Sequence, residues 1–87
     1  MSKLIITAGS VTTAMRIKKQ LDENSKFSST LIHTPAAINR GGCSYSVKTD
    51  YDNINLVRTL ASKNKIKYKA LYLPTELNGE LVYNDIS

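Results

Sequence analysis

Apolar and polar positions alternate along this chain in two periods, and the switches between them mark out the elements. Leu4-Ile5-Ile6-Thr7-Ala8 is a short β-branched apolar run closed by Gly9, the pattern of a buried strand. Ser10 then stands where a helix cap is wanted, and Val11, Ala14, Ile17 and Leu21 recur at helical spacing. That spacing predicts a helix from Val11 to about Asn24, with Arg16, Lys18, Lys19, Asp22 and Glu23 turned to water. From Phe27 to His33 the alternation is loose and stops at Thr34-Pro35, which predicts a second strand.

Thr34 as cap and Pro35 at the first helical position predict a short helical turn, stopped by Arg40-Gly41-Gly42. Cys43-Ser44-Tyr45-Ser46-Val47 alternates cleanly and reads as a third strand, with Cys43, Tyr45 and Val47 on one face. Asp50 or Asp52 caps a second helix whose inner face is Ile54, Val57, Leu60 and Ala61. Tyr68 to Leu73 reads as a fourth strand. Asn78-Gly79, between Leu77 and Glu80, is a two-residue hairpin signal, so the tail folds back as a fifth.

The resulting order, β-α-β-β-α-β with a C-terminal hairpin, fits an α+β fold of the split βαβ (ferredoxin-like) type. In it two helices cover one face of an antiparallel sheet. The 87 residues suffice for one domain and one modest core, so residues 1–87 are read as a single domain. Such a fold hosts many functions, and the chemistry has to come from particular residues.

Composition narrows the chemistry. Hydrophobic residues at 41% and charged residues at 22% describe a folded globule rather than a disordered tail. The apolar run at the N-terminus is too short for a signal peptide or a membrane span. One cysteine cannot form an internal disulfide, and one Cys with one His falls short of the four ligands of a structural zinc site. Together these point to the reducing cytoplasm, with no membrane, metal or bound cofactor expected.

The net charge of +5 is unevenly spread. All 12 Lys and Arg lie at or before Lys69, whereas residues 70–87 contain only Glu76, Glu80 and Asp85 as charged groups. A basic body suits nucleic acid, small anions or acidic proteins as partners, and it is also what a lysine-rich solvated surface looks like.

Cys43 is the leading candidate for a working residue. Gly41-Gly42 before it allow close backbone approach and free amides, and Arg40 lies three residues back. Both features favour a thiolate, the form that attacks sulfur or selenium and holds it as a persulfide or selenyl-sulfide. The alternative is a core cysteine packed beside Tyr45 and Val47. His33, the one histidine, is a candidate base for the thiol, although spacing identifies no third residue to orient it.

Lysines alternate along Lys63-Asn64-Lys65-Ile66-Lys67-Tyr68-Lys69, with Tyr72 following. A sheet with exposed aromatics beside lysines stacks single-stranded RNA, and lysines on a strand also guard a sheet edge. Arg40-Gly41 matches the start of an RNA-binding strand signature, but Gly42, Ser44 and Val47 stand where aromatics are wanted. Asp50 and Asp52 read as cap residues rather than an acid/base pair, and Ser10, Ser44 and Ser46 have no matching base.

Taken as an ordered set, these segments resemble the selenium/sulfur carrier protein-like family of small bacterial domains. The resemblance runs from about Lys3 to Leu73. It rests on Leu4-Ile5-Ile6 leading through Ala14-Met15 to Leu21, on Leu31-Ile32-His33-Thr34-Pro35, and on Ile38-Asn39-Arg40-Gly41-Gly42-Cys43-Ser44-Tyr45-Ser46-Val47. Family members typically carry glycine directly after the cysteine, whereas here glycines precede Cys43 and Ser44 follows it.

The resemblance implies a carrier rather than a turnover enzyme. Cys43 would accept sulfane sulfur or selenium from a donor such as a cysteine desulfurase and pass it to an acceptor protein. Arg40 and the amides near Gly41, Gly42 and Ser44 would then stabilise the anionic terminal atom. A second expectation, from a different class, is a binding or adaptor module for RNA, a small anion or a protein, with Cys43 structural.

Overall fold

The computed structural model describes residues 2–39 and 44–87. The chain runs β1 (Lys3–Thr7), α1 (Val11–Asn24), β2 (Ser29–His33), a 3₁₀ turn (Ala36–Ile38), β3 (Tyr45–Asp50), a second 3₁₀ turn (Tyr51–Asn53), α2 (Ile54–Ser62), β4 (Ala70–Leu77) and β5 (Glu80–Asp85). The strands form one sheet in the order β2-β3-β1-β4-β5, and every neighbouring pair is antiparallel. The β1-α1-β2 unit therefore spans β3, and the β3-α2-β4 unit spans β1, as the split βαβ order requires.

Local chemistry accounts for the elements. Ser10 is extended (φ −155°, ψ 162°), and its hydroxyl accepts from the Thr13 amide at 3.1 Å, so α1 starts on a side-chain cap. Ala14, Ile17 and Leu21 are fully buried on its inner face. Val11, expected on that stripe, is 42% exposed because the first turn of α1 stands at the margin of the core rather than over it. At its far end α2 closes in a Schellman arrangement. Lys65 N–H donates to Leu60 O at 2.9 Å, Asn64 N–H donates to Ala61 O at 3.1 Å, and Asn64 takes a left-handed φ of 59°. The hairpin of β4 and β5 turns on Asn78 (φ 53°) and Gly79 (φ 81°), both with the positive φ that a tight hairpin turn demands.

Several expected boundaries shift. The third strand begins at Tyr45 and continues to Asp50, so Asp50 ends a strand and caps only the 3₁₀ turn that follows, accepting from Asp52 N–H at 2.9 Å. The helix proper starts after Asn53, whose side chain is needed elsewhere. Pro35 sits at the cap of the first 3₁₀ turn, not inside it, with an extended ψ of 138°. The cap position of that turn is thus Pro35 rather than Thr34, and the Thr34 hydroxyl pairs with that of Ser46 at 2.7 Å. The fourth strand, expected from Tyr68 to Leu73, runs Ala70–Leu77, so Lys63–Lys69 form the connection between α2 and β4; the edges are β2 and β5.

One core lies between the helices and the sheet. Leu4, Ile6, Val47 and Leu71 come from the strands, Ala14, Ile17 and Leu21 from α1, and Ile54, Val57 and Leu60 from α2. The register explains the meeting, since Ile6 stands opposite both Val47 and Leu71. On the other face, Ile5 and Tyr72 are covered by Ile38 from the first 3₁₀ turn, with Ile32, Ala70 and Tyr83 around them. That second face is thus no bare aromatic platform: Tyr72 is 9% exposed and Tyr68 packs against the main core.

Polar groups inside are matched. Asn53 accepts from Ser25 Oγ at 2.6 Å and donates to Thr49 Oγ1 at 2.8 Å, joining the exit of α1, the end of β3 and the start of α2. Among the described residues no buried side-chain N or O lacks a partner.

Leu71, fully buried, and Leu77, 59% exposed, lie on the same strand. Leu71→Ala is expected to cost about 2–5 kcal/mol, whereas Leu77→Ala should stay within about 0.5 kcal/mol. Urea unfolding of both variants checks this directly.

Candidate functional site

Register places the β1–α1, α2–β4 and β2–β3 connections at one end of the sheet. Thr7, the last residue of β1, pairs with Ser46 near the start of β3 and with Ala70 at the start of β4. His33, the last residue of β2, pairs with Tyr45. At this end α1 begins, α2 finishes, and the segment that carries Cys43 leaves and re-enters the sheet.

The two ends of that segment are held together. Thr34 N–H donates to Ser44 O at 2.7 Å, one step beyond the His33–Tyr45 pair, so the ladder continues past the strands. The Thr34 and Ser46 hydroxyls add a second tie, and Ser46 is fully buried. Part of the segment folds back over the sheet, where Ile38 is 7% exposed against Ile5 and Tyr72. The physical result is a loop with a fixed base and an anchored middle, leading toward the sheet end.

The residues expected to act are met unevenly. Arg40, Gly41, Gly42 and Cys43 lie outside the described residues, as does the expectation that Cys43 shares a face with Tyr45 and Val47. Ser44 is exposed just before β3. His33 is exposed, and its ring lies against Tyr45 with centroids 4.8 Å apart and planes tilted by 32°. Tyr45 and Val47 do point to the same side of β3, with Val47 in the main core.

Of the clefts among the described residues, two adjoin these elements. One, of about 530 Å³, lies on the second sheet face between Ile5, Ile32, Pro35, Lys48, Pro74 and Tyr83. The other, of about 400 Å³, lies at the sheet end between the first turns of α1 and the α2–β4 connection, and takes in Arg16, Lys65 and Lys67. By its spacing along the chain Arg16 reads only as a solvated helix residue. The signal that could have placed the lysines was the alternation Lys65-Ile66-Lys67-Tyr68-Lys69, with Ile66 and Tyr68 turned inward and the lysines outward.

Among the described residues, no group of three or more His, Cys, Asp or Glu could hold a metal ion, and no helix is long and apolar enough to cross a membrane.

Replacing Ser46 by Ala should lower stability by about 1 kcal/mol, since it removes the partner of the Thr34 hydroxyl at the base of the loop. Urea unfolding reads the cost, and faster amide exchange at Thr34 would place the loosening there.

No curated protein and no solved structure matches the chain. A family model does, over residues 3–73, a span that starts with β1 and ends within β4 and so includes both helices, the closed loop and Cys43. The chain belongs to the family described as Putative Se/S carrier protein-like.

Proposed function

We propose that the protein is a sulfur or selenium carrier in which Cys43 holds the transferred atom. The observation that carries this reading is the family match, which spans residues 3–73 and takes in the chain's one cysteine. The loop base supports it, because a thiol that exchanges with two partners needs a fixed position and an open approach. Loops on rigid scaffolds supply both.

The chemistry is two thiol exchanges. The Cys43 thiolate attacks the terminal sulfur of a donor persulfide, such as that of a cysteine desulfurase. The donor S–S bond breaks, its cysteine leaves as thiolate, and a persulfide forms on Cys43. An acceptor thiolate then attacks the same terminal sulfur and releases the Cys43 thiolate. Selenium follows the same path through a selenyl-sulfide. No net oxidation occurs in either exchange, so no redox cofactor is needed. In this reading Arg40 and the amides of Gly41, Gly42 and Ser44 stabilise the anionic terminal atom, and His33, the last residue of β2, takes the thiol proton. The reducing cytoplasm keeps such a thiol available.

Two measurements test the reading. Alkylation of Cys43 in the folded protein, followed by intact mass, should rise with pH to a plateau whose midpoint lies below the ~8.5 of an ordinary thiol. Reaction only after denaturant is added would make Cys43 a core residue and end the proposal. Incubation with a persulfide donor should add the mass of one sulfur to the native chain, and Cys43→Ser should abolish that addition while leaving the urea midpoint unchanged.

A further inference from the structure

The sheet end where β1 finishes gathers cations from two elements. Arg16 comes from α1, and Lys63, Lys65, Lys67 and Lys69 come from the connection between α2 and β4. Of the carboxylates, Asp22 and Glu23 close α1 at the opposite end, Asp50 ends β3 and Asp52 follows it there, and Glu76 and Glu80 flank the hairpin turn. Asp85 alone belongs to the cationic half, on the outer strand β5, where it accepts from Ser87 N–H.

The cations are not scattered over that end. The Schellman close of α2 turns the chain at Asn64 so that Lys65 and Lys67 come alongside Arg16 and border one cleft of about 400 Å³. Its polar lining is completed by Thr12, Thr13 and Asn64, and no carboxylate borders it. Lys18–Asp22 is the ion pair found among the described residues, so Arg16, Lys65 and Lys67 are not neutralised by one another's neighbours. Three like charges around one concave space raise the local potential and concentrate anions there.

We propose that this cleft, with the lysine row that runs through it, binds the phosphate backbone of a single-stranded nucleic acid. Phosphate suits the lining, since a guanidinium, ammonium groups and threonine hydroxyls are all donors to phosphate oxygens. A strand suits it better than one small phosphate because Lys63 and Lys69 continue the row beyond the residues that line the cleft. A single backbone suits it better than a duplex because the lysines come in single file from one connection. Burial of Ile66 and partial burial of Tyr68 hold that file in place, turning Lys65, Lys67 and Lys69 outward between them. This binding stands independently of any sulfur or selenium held on Cys43.

Fluorescence anisotropy with a labelled oligouridylate of roughly twelve nucleotides, a length within the range one small domain covers, tests the proposal on the full chain. Binding should weaken linearly in log–log form with salt. Lys65→Gln with Lys67→Gln should flatten the slope by about 1.4 and weaken binding roughly 25-fold at about 0.1 M salt, the loss expected for two phosphate contacts on a single strand. Arg16→Gln should weaken it further. Lys3→Gln with Lys48→Gln removes the same charge from the start of β1 and the second sheet face, away from this cleft, and should change the affinity far less. Both lysine pairs are solvent-exposed, and equal urea midpoints would confirm that each variant folds. Equal losses for the two pairs would reduce the effect to net charge and overturn the proposal. So would the absence of binding at about 0.05 M salt, or a phosphate monoester that binds more tightly than the strand.

Discussion

Burial of β1 on both edges and both faces is the constraint on which the rest of the molecule depends. Its backbone pairs with β3 on one side and β4 on the other. Leu4 and Ile6 face the helices while Ile5 faces Ile38 and Tyr72, so a strand of five residues takes part in both hydrophobic clusters. A strand covered on both faces cannot slip by one residue without exchanging Ile5 for Ile6 across the sheet. It therefore sets the register of its neighbours. One crossover unit starts from it and the other spans it, and the closing residue Thr7 marks the end of the sheet at which the β2–β3 connection lies.

Polar matching, rather than further apolar burial, fixes the margins of this arrangement. The Ser25–Asn53–Thr49 chain ties three elements at one end, and the Thr34–Ser46 pair ties two strands at the other. Each replaces hydration with directional bonds, and a buried hydroxyl or amide without its partner would cost about 1–3 kcal/mol. Such bonds add little net energy when made, but they penalise every alternative arrangement. The base of the β2–β3 connection is thereby held firmly at Thr34, Ser44 and Ser46.

That end also carries the cationic connection. Were Cys43 to carry sulfur or selenium as proposed, an electrostatic contact at this connection would orient a partner before chemistry begins. Such steering raises encounter rates without demanding a large interface. The separation of charge is a product of topology. Antiparallel pairing brings the start of α1 together with the end of α2, while the carboxylates at the end of α1 and after β3 go to the opposite end.

Much of the fold was legible along the chain because its signals are local. Ser10 caps α1, Ala14, Ile17 and Leu21 define its inner face, and Asn78-Gly79 makes the hairpin turn, each through contacts within a few residues. Cys43 was singled out in the same way, from its glycine and arginine neighbours and from the segments around it. Other features depend on residues distant in sequence. Thr34 looked like a cap and instead pairs with Ser46, because a hydroxyl goes to the best partner that folding brings near. Tyr68 reads as the start of the fourth strand, yet pairing with β1 begins at Ala70 and leaves Lys63–Lys69 in a connection. Ile38 gave no sign that it would cover the second sheet face. Local propensity and periodicity thus settled which elements form, while the pairing of strands decided which side chains meet, Arg16 with Lys65 and Lys67 among them, since spatial neighbours follow from topology and not from spacing along the chain.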